Sequence, residues 1–338
     1  MRLALVVMSL WVGASASDLP VPRCVTSQPA ESDRTTSSGL AMGPHAVGFS
    51  VLALPGGAGR LFVWRPIARA GAPLTLGAFA DAVCPGRADD LAACFPNVAG
   101  SAGTTGRSSA LRRMELRASL GGAPQGRHPV VLLIGSIDSR GGELLGVAEA
   151  LASQGLVVAE VLPPPQAATR ALDLRAAELA ADRAALARAR LDSAGGADTT
   201  RVGFAAWSFG GVPAMISASR DRRVVALVSF DSALRYAYGT ALLAAANVAP
   251  GRVRARVYSV TAGSENSVAK DDHLVGALQG LDARTVGDAL SHADFCDQYG
   301  AWAAYADGRE SQERFHARYR AAVEPALTFL QHALTPGR

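Results

Sequence analysis

Short apolar runs alternate with longer amphipathic segments from residue 128 to residue 333. The short runs are typical of buried parallel strands, because they are apolar on both faces and too short for helices. Strand and helix alternating in this way predict an α/β fold, with a mainly parallel sheet and helices on both faces. The predicted strands are Pro129–Ile134, Leu156–Val161, Arg201–Ala206, Val224–Phe230, Arg256–Thr261 and Ala283–Val286, and the predicted helices are Glu143–Ser153, Ala168–Leu191, Gly210–Ser219 and Gln312–Ala333.

The chain before residue 128 has a different pattern. Apolar positions alternate in Val47–Leu54 and Leu61–Pro66, with Gly56 and Gly57 between them, which predicts an N-terminal antiparallel hairpin. Residues 96–127 are rich in Gly, Ser and Ala and predict a long surface loop with one short strand within Met114–Leu120.

The first residues are typical of a secretory signal peptide. Arg2 precedes the apolar run Leu3–Ala14, and the small residues Ala14-Ser15-Ala16 fit a signal-peptidase site. We therefore expect cleavage after Ala16 and a secreted or periplasmic protein. The predicted organisation is a signal peptide at 1–16, an extended arm at 17–44 and a single α/β domain at 45–338.

Composition excludes some partners. Of 338 residues, 49% are hydrophobic and 18% are charged, and the net charge is +4. The basic residues are spread along the chain among acidic ones, whereas a nucleic-acid binder normally concentrates them in one patch. The apolar run at the N-terminus is shorter than a bilayer requires, so we expect neither a nucleic-acid partner nor a stable membrane anchor. The oligomeric state stays open.

Four cysteines follow the predicted cleavage site. An even number in an oxidising compartment favours disulfides. Cys84 and Cys94 flank a short loop and are the expected pair, which leaves Cys24 to bond with Cys296. The alternative is a set of buried thiols.

Ser208 lies in the segment Ala206-Trp207-Ser208-Phe209-Gly210, between a predicted strand and a predicted helix. This is the small-x-Ser-x-Gly pattern of a nucleophile elbow, whose tight turn exposes the serine hydroxyl. The turn also directs the backbone N–H of Phe209 toward a developing oxyanion. The alternative is an ordinary turn serine.

A nucleophilic serine needs a base, and position favours His292 among the six histidines. His292 follows the last predicted strand, at the carboxyl edge of the sheet where open α/β sheets place their sites. His273 lies in the polar run that contains Asp271 and Asp272, which is more typical of a solvated loop. The other four lie at the end of the arm, before a strand or on the C-terminal helix: His45, His128, His316 and His332.

Taken together, these segments make the chain similar to α/β-hydrolases of the dienelactone-hydrolase and platelet-activating-factor acetylhydrolase-like group. The resemblance covers about Val47–Ala333 and rests on the strands with Val47-Gly48-Phe49 and Val63-Trp64-Arg65-Pro66, the Ser208-Phe209-Gly210-Gly211 elbow and the His292-Ala293-Asp294-Phe295 segment. Two positions depart from the group. Its His-Gly after the first parallel strand is Gly135-Ser136 here, and its Gly-His before the nucleophile is Ala206-Trp207.

The resemblance implies the remaining site residues. Acetylhydrolases of this group carry the triad acid just after the strand that follows the elbow, where this chain has Asp231. Alignment of Gly135-Ser136-Ile137 with His-Gly-x implies that the Ile137 N–H is the second oxyanion donor. Most α/β-hydrolases place the acid after a later strand, and there Glu265 is the alternative. Asp231 could instead cap a helix.

We therefore expect a serine hydrolase that cleaves carboxylic esters through an acyl-enzyme, with Ser208, His292 and Asp231 as the triad and short-acyl or small esters as substrates. The rival hypotheses are a catalytically silent binding protein with this fold and an exported serine peptidase. No metal and no cofactor is implied, because Asp271, Asp272 and His273 do not form a convincing ligand set.

Overall fold

One mixed sheet of ten strands runs through the part of the chain that the structure describes. The structure is a computed structural model, and it describes residues 37–85, 94–95, 111–136, 141–162, 172–262, 271, 273–278, 281–285, 290–296 and 311–335. All of these lie in the unit Arg34–Arg338, while the other unit, Met1–Asp33, lies outside the described residues. The strands are β1 (Ala46–Ala53), β2 (Arg60–Ile67), β3 (Pro73–Thr75), β4 (Glu115–Leu120), β5 (His128–Ile134), β6 (Val157–Leu162), β7 (Ala197–Trp207), β8 (Val224–Phe230), β9 (Arg256–Thr261) and β10 (Leu281–Thr285).

The sheet has the order β10-β9-β8-β7-β5-β6-β2-β1-β4-β3. Six neighbouring strands of the sheet, β10, β9, β8, β7, β5 and β6, run parallel, and β2 pairs antiparallel with β6. The helices are α1 (Leu76–Val83), α2 (Leu145–Ser153), α3 (Leu174–Ala194), α4 (Gly211–Arg220), α5 (Ala237–Ala245), α6 (His273–Gly276) and α7 (Gln312–Leu334). The predicted mainly parallel sheet with helices on both faces is confirmed, as is the antiparallel pair at its N-terminal end.

Strand residues alternate between two hydrophobic cores, one on each face of the sheet. On β5, Val131 and Leu133 contribute to the core beneath α2 and α7, whereas Val130 and Leu132 contribute to the core beneath α3 and α4. Continuous apolar strands of this kind are stable only when helices cover both faces. The first core also contains an aromatic cluster of Phe49, Phe62, Trp64, Phe79 and Phe95.

Strand register brings several strand ends to the same edge. Ile134 at the end of β5 pairs with Ala206, and Trp207 at the end of β7 pairs with Phe230. Phe230 in turn pairs with Val260 of β9. Residues that follow these strands therefore leave the sheet side by side.

The predicted hairpin is present, because β1 and β2 pair antiparallel from Ala46↔Ile67 to Ala53↔Arg60. The connecting turn includes Gly56 and Gly57, both with positive φ, which glycine adopts readily.

The expected Cys84–Cys94 disulfide is not formed. Cys84 ends α1 and packs on the first core from a half-buried position, while Cys94 is fully buried in that core. Both pack as small apolar side chains. Cys296 is buried as well, and its expected partner, Cys24, lies outside the described residues.

Strand β3 and helices α1 and α5 were not predicted from the sequence. Helix α1 begins where the Thr75 side chain accepts a hydrogen bond from the Ala78 N–H, an N-cap that a threonine provides well. Among the described helices, none is both long enough and apolar enough to span a membrane.

The end of the predicted arm is tied to the domain. Ser38 and Leu40 are completely buried. The backbone of Gly43 donates to Ser153 Oγ at 2.7 Å, and His316 Nε2 lies 3.1 Å from the carbonyl oxygen of Ser37. Residues 37–43 thus pack against helices α2 and α7.

Phe79 offers a test of the aromatic cluster. Its ring contacts four other aromatic rings, so Phe79→Ala should lower the free energy of unfolding by about 3–5 kcal/mol, the usual cost of such a cavity. Urea denaturation measures the change. The control is Leu120→Ala, at an exposed position at the end of β4, which should stay within about 0.5 kcal/mol of wild type. Equal effects for the two variants would contradict this description of the core.

Candidate active site

Ser208 occupies a strained turn between β7 and α4. It begins the short 3-10 turn Ser208–Gly210 and has φ of 56°. A positive φ is uncommon for residues other than glycine, and such residues concentrate at functional sites. The elbow predicted from the sequence therefore has the backbone conformation that lifts the serine side chain out of the sheet.

Gly210 is required by close packing. A Cβ at this position would collide with the carbonyl oxygen of Ile134 and lie 2.6 Å from that of Gly135. The start of α4 therefore rests directly against the end of β5. Ala206, larger than the glycine of the resembling group, is accommodated in the second core with no exposed surface.

His292 connects the serine to an acid. Its Nε2 lies 3.2 Å from Ser208 Oγ, and its Nδ1 lies 2.7 Å from Asp231 Oδ2. The structure thus brings together the three residues that the sequence analysis selected. With Nδ1–H donating to Asp231, the Nε2 lone pair faces the serine hydroxyl, the tautomer that a general base needs.

Asp231 is almost completely buried and is surrounded by donors. Besides His292, the Tyr236 hydroxyl donates to its Oδ2 at 3.1 Å and the Ala262 N–H donates to its Oδ1 at 3.2 Å. Asp231 also has a positive φ of 38°, and its own N–H donates to the carbonyl oxygen of Val260 at 2.7 Å. These bonds fix the carboxylate against the imidazole.

The helix-cap alternative for Asp231 is wrong. The turn Ala233–Arg235 is capped by Ser232, whose hydroxyl accepts a hydrogen bond from the Leu234 N–H. Asp231 precedes the cap and directs its side chain to His292 instead.

Tyr238 adds a neutral ring beside the acid. It stacks on Tyr236 with ring centroids 6.1 Å apart. Burial raises the pKa of Tyr238 to about 12, and the nearby charge of Asp231 contributes to the rise. The phenol therefore stays protonated at neutral pH and adds no charge to the site.

The loop after β5 is held by a buried carboxylate that the sequence analysis did not select. Glu143 accepts hydrogen bonds from the Ser136 N–H at 2.7 Å and from the Ser136 hydroxyl at 3.1 Å. Glu160, also buried, accepts one from the Gly142 N–H at 2.9 Å. Glu143 is the first residue of the predicted helix Glu143–Ser153, and its acidic side chain at that position was the available signal.

Trp207 is a second residue whose contacts were not anticipated. Its Nε1–H donates to the carbonyl oxygen of His292 at 3.0 Å, and its ring stacks on the imidazole with centroids 5.2 Å apart. In the sequence this position stands out only as a departure from the resembling group.

Other selected residues lie elsewhere. Ile137 and Glu265 lie outside the described residues. His273 is exposed on α6, and its N–H donates to Asp271. Within the described ranges, no group of three or more His, Cys, Asp or Glu side chains could hold a metal ion.

Comparison with known proteins identifies the fold. No protein-family model and no curated protein matches the chain. Among solved structures, a ferulic acid esterase from Streptomyces cinnamoneus is similar with a TM-score of 0.57 at 20% identity, covering 86% of this chain and 91% of that one. A dienelactone hydrolase from Anabaena variabilis has a TM-score of 0.48 at 16% identity, covering 86% of this chain and 100% of that one. The chain has the α/β-hydrolase fold.

Gly210→Ala tests the close packing at the elbow. The added methyl must displace either the end of β5 or the start of α4, so we expect the free energy of unfolding to fall by about 1–3 kcal/mol. Thermal and urea unfolding measure it. Gly251→Ala is the matched control, because nothing lies within 4 Å of a Cβ there. If the two variants were equally stable, the contact between α4 and β5 would be looser than described.

Proposed function

We propose that the protein is an exported serine hydrolase that cleaves carboxylic esters through an acyl-enzyme. The observation that carries the proposal is the hydrogen-bond chain from Ser208 through His292 to the buried Asp231. It is assembled on a strained elbow at the edge where the parallel strands end. This is the geometry that a nucleophilic serine requires.

The proposed reaction begins when Ser208 Oγ attacks the ester carbonyl carbon. His292 Nε2 takes the hydroxyl proton, and Asp231 stabilises the resulting imidazolium through Nδ1–H. As the tetrahedral intermediate collapses, the C–O bond to the alcohol breaks and Nε2 protonates the departing oxygen. Water then attacks the acyl-enzyme, giving one proton to His292, which returns it to Ser208 as the acid leaves.

The oxyanion donors in this proposal are backbone N–H groups. Phe209 supplies one from the elbow, and Ile137, outside the described residues, supplies the other. The hydrogen bonds from Ser136 to Glu143 support the second assignment, since they hold the chain immediately before Ile137. Backbone donors tolerate the change from His-Gly to Gly-Ser at residues 135 and 136.

Small or short-acyl esters are the proposed substrates. Between Asp231 and β9 the chain forms a short 3-10 turn, the nine-residue α5 and a second short turn. This leaves little chain for a large lid there. The similar Streptomyces protein is itself an esterase, which agrees with ester cleavage as the proposed reaction.

Export is proposed from the N-terminal sequence alone. The signal-like segment ends at Ala16, twenty-one residues before the first described residue, Ser37. N-terminal sequencing of protein from the culture medium or periplasm should begin at Ser17. An intact Met1 would contradict cleavage.

Ser208→Ala should abolish both ester hydrolysis and covalent labelling by a fluorophosphonate, because both need the hydroxyl. The melting temperature should change little, since the hydroxyl lies at a partly exposed turn. Ser219→Ala is the control, because that hydroxyl bonds only to its own helix carbonyl at Ile216 among the described contacts. It should label and hydrolyse like wild type.

A panel of p-nitrophenyl esters of increasing acyl length tests the substrate proposal, with the highest kcat/KM expected for the shortest chains. A wild-type protein that neither labels nor hydrolyses any of them would favour a silent binding protein. Labelling without ester turnover, but with cleavage of peptide amides, would favour a peptidase.

The acid is tested by comparing Asp231→Asn with Glu265→Gln. The amide of an asparagine at residue 231 would not hold the Nδ1–H of His292 as the carboxylate does. Loss of the correct imidazole tautomer can lower kcat about ten-thousandfold. Glu265→Gln should keep near-normal kcat. Circular dichroism confirms that both variants fold. Collapse of kcat in Glu265→Gln alone would transfer the role to Glu265.

A further inference from the structure

We propose that Trp207 is a positioning residue for the base: its indole holds the His292 imidazole between Ser208 and Asp231 and favours the imidazolium that forms during acyl transfer. The inference rests on the proposed function and assigns a role to a residue outside the triad. Two separate contacts carry it, one to the backbone of His292 and one to its ring.

The first contact fixes the backbone that carries the base. Trp207 Nε1–H donates to the His292 carbonyl oxygen at 3.0 Å. His292 directly precedes the turn Ala293–Phe295, whose Phe295 is buried against Phe230 with ring centroids 5.9 Å apart. The turn is thus anchored on one side by Phe295, and the indole anchors the residue that holds the imidazole.

The second contact covers the imidazole face. The two ring centroids lie 5.2 Å apart with planes inclined by 28°. Trp207 is 4% exposed, whereas the His292 side chain is 32% exposed. Hydrogen bonds to Ser208 and Asp231 hold the ring edges, and the indole prevents the ring from tilting away on this side.

The stack also has an electrostatic consequence. An aromatic face attracts a cation within about 6 Å of the ring centre. The imidazole becomes a cation only after it takes the Ser208 proton, so the attraction is stronger in the transition state than before the reaction. Interactions of this kind raise the rate of the chemical step rather than merely tightening substrate binding.

The strand explains how tryptophan reaches this place. Successive β7 residues face opposite sides of the sheet, and Trp207 joins the first core while Ala206 joins the second. The loop of His292 packs on that same first core through Leu290 and Phe295. Trp207 also pairs with Phe230, the residue before Asp231. The indole is therefore on the one face from which it can reach the base.

The experiment compares three variants on two esters with one acyl group. Trp207→Phe keeps a ring and loses the N–H, and Trp207→Leu loses both. Trp64→Phe is the control, because Trp64 is fully buried in the aromatic cluster on β2, three strands away from β7. The esters are p-nitrophenyl butyrate, whose leaving group departs without a proton, and ethyl butyrate, whose alkoxide must be protonated by His292.

We expect kcat/KM for ethyl butyrate to fall about fivefold in Trp207→Phe, the loss of one hydrogen bond, and about a hundredfold in Trp207→Leu, where the base is misplaced. The losses for p-nitrophenyl butyrate should be several times smaller, with KM nearly constant. Trp64→Phe should resemble wild type on both esters. If Trp207 had a purely structural role, kcat/KM would fall equally for both esters, in proportion to the loss of folded protein. That result would overturn the proposal.

A measurement independent of activity separates this proposal from the proposed function. In the NMR spectrum, the carbon-bound imidazole protons of His292, assigned by their loss in His292→Asn, should be shifted upfield by the indole ring current. They should move downfield in Trp207→Leu and remain shifted in Trp207→Phe. Absence of the shift in wild type would overturn the stack. An upfield shift in a wild type that hydrolyses no ester would overturn the proposed function, and the catalytic role of Trp207 with it.

Discussion

A carboxylate that is removed from water needs donors on both of its oxygens, and the site is arranged around this requirement at Asp231. Burial of an ionised side chain is costly unless hydrogen bonds replace its hydration. Here the donors come from three segments: the Tyr236 hydroxyl, the Ala262 N–H and the His292 ring. These segments belong to different parts of the chain. The hydrogen bonds to one buried carboxylate therefore also fix the strand ends, the turn and the base relative to one another.

Buried carboxyl groups recur around the first core, where three glutamates hold backbone groups. Glu149 accepts hydrogen bonds from the N–H groups of Arg117 and Ala118, and so ties α2 to β4. Glu143 and Glu160 hold the chain on either side of residues 137–141. Glu143 and Glu160 bind backbone groups outside the strands and helices, whereas Glu149 reinforces strand β4. Buried carboxyl groups thus supplement the sheet ladder on this face.

Much of this fold is predictable because its strands are simple. Val224–Phe230 and Arg256–Thr261 have the predicted bounds, since apolar runs that end at polar residues leave little choice of strand limits. The elbow serine and the histidine follow from their positions after such strands, whereas the acid was implied by the resemblance. The contacts of Trp207, Tyr236 and Glu143 could not be predicted, because they depend on which faces of the strands, turns and helices meet in the folded protein. The Cys84–Cys94 disulfide was predicted only from the spacing of the two cysteines in the chain. Spacing does not show that Cys94 packs in the core that contains the aromatic cluster.

Helix α7 has a consequence for the order in which the chain can mature. It packs on β7, β8 and β9 and contacts residues near the start of the described chain, as in the approach of His316 to Ser37. These partners are separated by 279 positions in sequence. During synthesis the part of the first core that lies over β7, β8 and β9 therefore stays uncovered until α7 has been made. The nascent protein must pass through a long interval in which this apolar part of the sheet face is accessible to chaperones.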